Sequence, residues 1–244
     1  MPKTPTIRNR FYILFRDFAL LGATEAFRYY AARLGRRLHK PDTTPIEEDF
    51  DQRFGVDTSQ SSVPDDLRIR SASNKWGIHY APSPENLFRT MLNYVKAEFK
   101  TYVFIDMGAG KGLALLMASE YPFKRIIGVE YSETLVSIAR NNIRVYERQT
   151  QRCRDVTCLY ADASDFNLPA EPIVLYLFNP FQGKVMDRVI KNIEHSLHHQ
   201  PRNLWIVYYV PWEHRKFKRS AKLRTVESNW RFCVYRSVYQ TPDQ

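Results

Sequence analysis

The sequence predicts an α/β fold built on a doubly wound, mostly parallel sheet, and three observations predict it. From residue 84 onward, short apolar runs alternate with amphipathic helical stretches, the pattern of strands covered by helices on both faces. The first run leads into a glycine turn, Gly108-Ala109-Gly110-Lys111-Gly112, that opens a helical stretch. An acid ends or follows each of three successive runs, at Asp106, Glu130 and Asp162.

Residues 1–40 come first as a basic amphipathic helical extension. Ile7, Phe11, Leu14, Phe18 and Leu21 recur at three- and four-residue steps, as one helix face would. Gly22 breaks the pattern, and Thr24 caps a second helix whose apolar face is Phe27, Ala31, Leu34 and Leu38. Residues 41–73, rich in Asp, Ser, Thr and Pro, read as an irregular linker, and 74–244 form the main domain. There a helix is expected at about 84–97, with Ser83 as cap and Pro84 in its first position. Strand Tyr102–Asp106, helix 111–121, strand Arg125–Glu130, helix 132–148 and strand Val156–Tyr160 follow. Next come strand Ile173–Phe178, helix 183–198, strand Leu204–Tyr209 and, after a basic segment, Phe232–Tyr239 as an antiparallel edge strand.

The 244 residues, 44% hydrophobic and 25% charged, have the composition of a globular protein able to bury a full core. The net charge of +10 is uneven: residues 1–40 carry nine basic against two acidic residues, and 213–224 six against one. Such segments suit an anionic partner (nucleic acid, anionic lipid or acidic protein) or serve as a solvated surface. Three cysteines, Cys153, Cys158 and Cys233, have no metal-like or redox spacing. With no cleavage site after the apolar cluster Phe11–Phe15, they point to the cytoplasm, with the inner membrane surface as a peripheral location.

The glycine turn carries the chemistry, because glycines at the carboxyl end of a strand let a ligand approach the backbone. A Walker loop is excluded, since Gly112 follows Lys111 where Ser or Thr is required. A dinucleotide fingerprint wants its third glycine one residue later, which disfavours a nicotinamide cofactor. Glu130 ends its strand 20 residues beyond Gly110, where a carboxylate accepts from both hydroxyls of an adenosine ribose. Asp162 follows the third strand, where its side chain would accept from an adenine amino group.

With these motifs the sequence resembles the class I, Rossmann-like methyltransferases dependent on S-adenosyl-L-methionine (SAM), specifically a poorly characterised bacterial group. The resemblance covers about Phe54 to Tyr209. It implies a seven-stranded sheet and SAM as cofactor. By position it puts Asp106, Gly108, Ala109, Gly110 and Lys111 around the methionine part, Glu130 at the ribose, and Asp162 with Ala163 at the adenine, with Tyr131 against its ring. Tyr80-Ala81-Pro82-Ser83-Pro84 looks like a pre-core loop that reaches over the cofactor, bringing in Tyr80 and Pro82.

Asn179-Pro180-Phe181 is similar to the Asp/Asn-Pro-Pro-aromatic motif of amine methyltransferases, with one proline missing. The resemblance makes Asn179 and the Pro180 carbonyl the holders of the target nitrogen, next to the cofactor, and Phe181 the ring that covers it. No metal is expected: His195, His198 and His199 near a helix end suit its dipole. The implied function is methyl transfer to an amine on a protein or other macromolecule. The alternatives are a SAM-binding scaffold without turnover at a membrane or ribonucleoprotein surface, and a nicotinamide-dependent oxidoreductase.

Overall fold

Period-two alternation along the strands sorts their side chains into two apolar clusters, one on each face of a seven-stranded sheet. The computed structural model describes residues 46–59, 82–147 and 149–238. The helices expected within 1–40 lie outside the described residues, as do Tyr80 and residues 60–73 of the expected linker. The strands are β1 (Val103–Met107), β2 (Arg125–Glu130), β3 (Val156–Tyr160), β4 (Ile173–Phe178), β5 (Leu204–Tyr209), β6 (Leu223–Ser228) and β7 (Phe232–Ser237). The helices are α1 (Ile46–Phe54), α2 (Glu85–Leu92), α3 (Leu113–Ala118), α4 (Glu133–Val145), α5 (Gly183–His199) and α6 (His214–Lys218).

The strand order is β3-β2-β1-β4-β5-β7-β6. Strands β1 to β5 pair in parallel, and β7 runs antiparallel to both β5 and β6. The chain steps outward from β1 to β3 on one side and then returns to β4 on the other. The order therefore reverses between β1 and β4, where Val103 to Asp106 pair with Ile173 to Tyr176. Sheets of this kind bind ligands beyond the carboxyl ends of their strands at such a switch point.

On one face Phe104, Ile126, Val174 and Val207 share a cluster with Phe88 and Met91 of α2, Leu115 of α3 and Ala139 of α4. On the other, Ile105, Leu175 and Ile206 share one with Val189 and Ile193 of α5 and Phe217 of α6. Each of these Phe, Ile, Leu, Val and Met side chains contributes about 1.5–3 kcal/mol on burial. Ile193, 0% exposed, anchors α5, and its truncation to Ala should cost about 2–5 kcal/mol.

Several features differ from the sequence expectation. The helix expected at 84–97 ends at Leu92, because Tyr94 and Val95 donate to the Met91 and Leu92 carbonyls and turn Val95 into the core. Ser83 does not cap it: Pro84 holds that position without a side-chain bond, and the Ser83 hydroxyl accepts from Tyr176 instead. Helix α1 lies within the stretch expected to be irregular. Antiparallel β7 lies one place in from the edge, because Leu223–Ser228 pairs outside it as β6.

Among the described residues, no helix is long and apolar enough to cross a membrane.

Candidate functional site

Backbone geometry builds the turn after β1. Gly108, Gly110 and Gly112 all have positive φ, at 88°, 55° and 88°, a region that costs residues with a Cβ roughly 1–2 kcal/mol. Gly108 has a second reason to be glycine, since a Cβ there would lie 2.4 Å from Cβ of Pro180. The Gly108 and Ala109 amides donate to the Val129 carbonyl at 2.8 and 3.2 Å, tying the turn to β2.

Glu130 closes this half. Its Oε2 accepts from the Gly110 amide at 3.0 Å and its Oε1 from the Ser132 amide at 2.9 Å. The residue is 4% exposed. Burial raises its carboxyl above the ordinary range, and the amides of Ser132, Gly110 and Tyr131 pull it partly back. Asp106, 3% exposed on β1, has no such relief: burial, reinforced by the charge of Glu130, pushes its carboxyl up to about 8. Two buried acids side by side form a place where a cation is favoured.

Beyond β3, Asp162 Oδ1 accepts from the Ser164 amide at 2.8 Å, an Asx turn that fixes the carboxylate. Ala163 is buried, whereas Tyr131 and Asp162 are half-buried. Ser164 is 2% exposed, and its hydroxyl has no hydrogen-bond partner, an imbalance that a ligand edge can resolve.

At the end of β4, Asn179 has φ 38°, a conformation Asn tolerates better than most residues. It is 4% exposed. Its Oδ1 accepts from the Tyr208 hydroxyl at 3.4 Å, and that hydroxyl in turn accepts from the Glu213 amide at 3.2 Å. Glu213 Oε1 accepts from the Gly183 amide at 2.9 Å, where α5 begins, and Lys216 donates to the Gly183 carbonyl at 3.0 Å. Lys216 also pairs with Asp187 and Glu213. Of the cations in 213–224, Lys216 is thus part of the scaffold, while Arg215, Lys218, Arg219 and Arg224 are exposed. Phe181 is 7% exposed and packs in the cluster that includes α5.

The structure therefore brings Asp106, Gly108, Ala109, Gly110, Glu130, Asn179 and Pro180 together at the β1–β4 switch point, with Asp162 and Ala163 following β3, the strand beside β2. The Lys111 ammonium is engaged by Asp57 at 2.6 Å. Pro82 is half-buried near the start of α2. Sequence reasoning missed Asp57, Asn142, Tyr208 and Glu213. Only the 46-50-54 spacing of Ile, Phe and Phe in α1 offered a signal, and it pointed to the helix rather than to Asp57. Among the described residues, no three His, Cys, Asp or Glu side chains group as a metal site. All three cysteines are free and buried. A cavity of about 200 Å³ beside α5, lined by Phe166, Leu168, Asn192 and His195 among others, contains none of these site residues.

No family model matches the chain, and no curated protein does. Solved structures do resemble it. A candidate RNA methyltransferase from Pyrococcus horikoshii is 15% identical with a TM-score of 0.49, over 79% of this chain and 98% of that one. An RNA methyltransferase from Salinibacter ruber, in complex with S-adenosyl-L-homocysteine, is 21% identical with a TM-score of 0.39, over 67% and 100%. YcgJ from Bacillus subtilis is 17% identical with a TM-score of 0.40 over 52% of this chain, and the match spans about half, 51%, of that protein. Strand order and direction define the fold independently of these likenesses. A parallel sheet in the order β3-β2-β1-β4-β5, extended by antiparallel β7 and then by β6, is the sheet of the class I, Rossmann-like methyltransferase fold.

Proposed function

We propose that this chain is a SAM-dependent methyltransferase acting on an amine nitrogen of a protein or another macromolecule. One observation carries the reading. Asp106 on β1, Glu130 ending β2 and Asp162 after β3 occupy the carboxyl ends of three adjacent parallel strands, and Asn179-Pro180 after β4 abuts Gly108.

The residues fit the cofactor. Gly108 and Gly110 make a cradle with positive φ at both, and a Cβ at Gly108 would collide with Pro180. Both oxygens of Glu130 accept backbone amides, and the carboxylate retains lone-pair capacity for ribose hydroxyls. The unpartnered Ser164 hydroxyl beside Asp162 and Ala163 suits an adenine edge, and half-buried Tyr131 suits its face. Buried Asp106 would hold the methionine ammonium, losing its proton as it does so. Lys111 would contribute its backbone, its ammonium being engaged by Asp57.

Bound SAM supplies a methyl group on a sulfonium leaving group. The protein's task is then alignment and exclusion of water rather than acid-base work. Asn179 Oδ1 and the Pro180 carbonyl would accept from the amine and aim its lone pair at the methyl, with Tyr208 steadying the Asn179 side chain. Phe181, packed behind them, would wall that side of the acceptor. Exposed Arg215, Lys218, Arg219 and Arg224 would engage an anionic surface of the acceptor, and the cytoplasm is the proposed location.

Calorimetric titration with SAM, S-adenosylhomocysteine and NADH, on the parent and on Glu130→Ala, tests the reading. SAM binding lost in the variant is the expected result. NADH binding, or no binding of SAM, would leave only the fold. An unbiased search with labelled SAM then identifies the acceptor, and binding without transfer to any acceptor pool would favour the scaffold alternative.

A further inference from the structure

Lys111 places a cation inside the glycine turn, next to Gly110, whose amide holds Glu130. Its side chain is 4% exposed, and a buried ammonium is costly unless paired. Asp57 pairs with it, its Oδ1 2.6 Å from Nζ, from a segment 54 residues earlier in the chain.

That segment is fastened at several independent points. Asn142 of α4, 0% exposed, donates through Nδ2 to the carbonyls of Asp57 at 2.8 Å and Lys111 at 2.9 Å. Its Oδ1 accepts from the Asp57 amide at 2.9 Å. One side chain thus brackets both members of the ion pair. Asp51 accepts from the Thr58 and Ser59 amides and from the Thr58 hydroxyl. Phe50 and Phe54 pack on Tyr146, with ring centroids 6.0 and 5.1 Å away. The carboxylate is therefore delivered to the turn by a built structure, unlike a chance surface pair.

The charge it cancels matters because the two ligands of the proposed site differ by one charge. At neutral pH SAM has a carboxylate, an ammonium and a sulfonium, for a net charge of +1. Loss of the methyl cation leaves S-adenosylhomocysteine, a neutral thioether with net charge zero. We propose that Asp57 is a specificity-determining residue: by neutralising Lys111 within the turn that would cradle the ligand, it lets the site take the cationic methyl donor without favouring the neutral product. The inference rests on the cofactor reading given above. Without Asp57, Lys111 would repel the donor and spare the product, and the protein would be held by its own product.

Four proteins form a charge series at this pair: the parent at zero, Asp57→Asn at +1, Lys111→Met at −1, and the double variant back at zero. Kd for SAM and for S-adenosylhomocysteine is measured on each by calorimetry, with thermal melting to confirm folding. The expected ratio of the SAM to the S-adenosylhomocysteine constant rises about tenfold in Asp57→Asn, as a charge–charge term at intermediate dielectric predicts. It falls in Lys111→Met and returns to the parental value in the double variant. Equal weakening of both ligands, with one ratio across the series, would mean that the pair merely supports the turn and would overturn the inference while leaving the cofactor reading intact. A parent that binds neither ligand removes the cofactor reading, and this inference with it.

Discussion

At the ends of β1 and β2 the site is shaped by backbone: Gly108 and Ala109 donate to Val129, and Gly110 donates to Glu130. At the ends of β4 and β5 it is shaped by side chains, with Asn179, Tyr208, Glu213 and Lys216 joined in a chain that reaches α5. The first arrangement tolerates almost no substitution at its glycines, because a Cβ meets either a forbidden φ or a neighbour. The second keeps its strands when a side chain changes, and so can be retuned. The division suits the proposed reading, in which one fixed ligand meets one variable partner.

The largest effect should come from breaking the backbone half. Gly108→Ala adds strain at φ 88° and a clash with Pro180, together costing about 3 kcal/mol, and should abolish SAM binding. Denaturant unfolding and calorimetry measure the two losses. An unperturbed Gly108→Ala would mean that the turn is not fixed as described. In the side-chain half, Asn179→Gly preserves the unusual φ and deletes only the amide. Once an acceptor is known, turnover should fall about 100-fold, the scale for loss of one oriented polar group, with Kd for SAM changed far less.

A pH experiment sharpens the contrast. Asp106 is held at about 8 in the fold against an ordinary 3.8. Between those values the folded chain keeps a proton that the unfolded chain has lost, so this residue's contribution to stability declines as pH rises through that window. The stability difference between the parent and Asp106→Asn should follow that decline in denaturant titrations at successive pH values. A flat difference would place Asp106 outside the buried pair. Below about pH 8, SAM binding should also release a proton, seen as a dependence of the calorimetric heat on the buffer.

Smaller still is Tyr208→Phe, which removes the hydroxyl that donates to Asn179 and accepts from the Glu213 amide and should cost about 1–2 kcal/mol. Val226→Thr, on β6 at 41% exposure, should stay within about 0.5 kcal/mol, marking the floor against which the others are judged.

The same division explains what was legible in the sequence. Strands β2, β4 and β5 have the limits expected from their apolar runs, because burial on both faces demands continuous hydrophobic sequence, and β3 has its expected limits although Cys158 is its one buried residue. Strand β6 left no such mark: only Leu223 is buried, and a bulge between Thr225 and Glu227 interrupts its alternation. The backbone half was legible because its glycines and acids are neighbours in sequence or repeat after each strand. Asp57, Asn142, Tyr208 and Glu213 were not, because each acquires its role from a partner dozens of residues away or from a loop whose course only folding sets. Tertiary context also overrode local chemistry at Ser83, which reads as a helix cap yet serves a buried tyrosine.

Consider finally the contact between Gly108 and Pro180, where not even a methyl group fits. Two turns that touch backbone to ring act as a gauge block: the gap between whatever lies on either side is fixed by covalent dimensions and not by the reach of a rotamer. On the proposed methyl-transfer reading, residues facing the acceptor could then be exchanged over evolution to admit new molecules while the transfer distance stays the same.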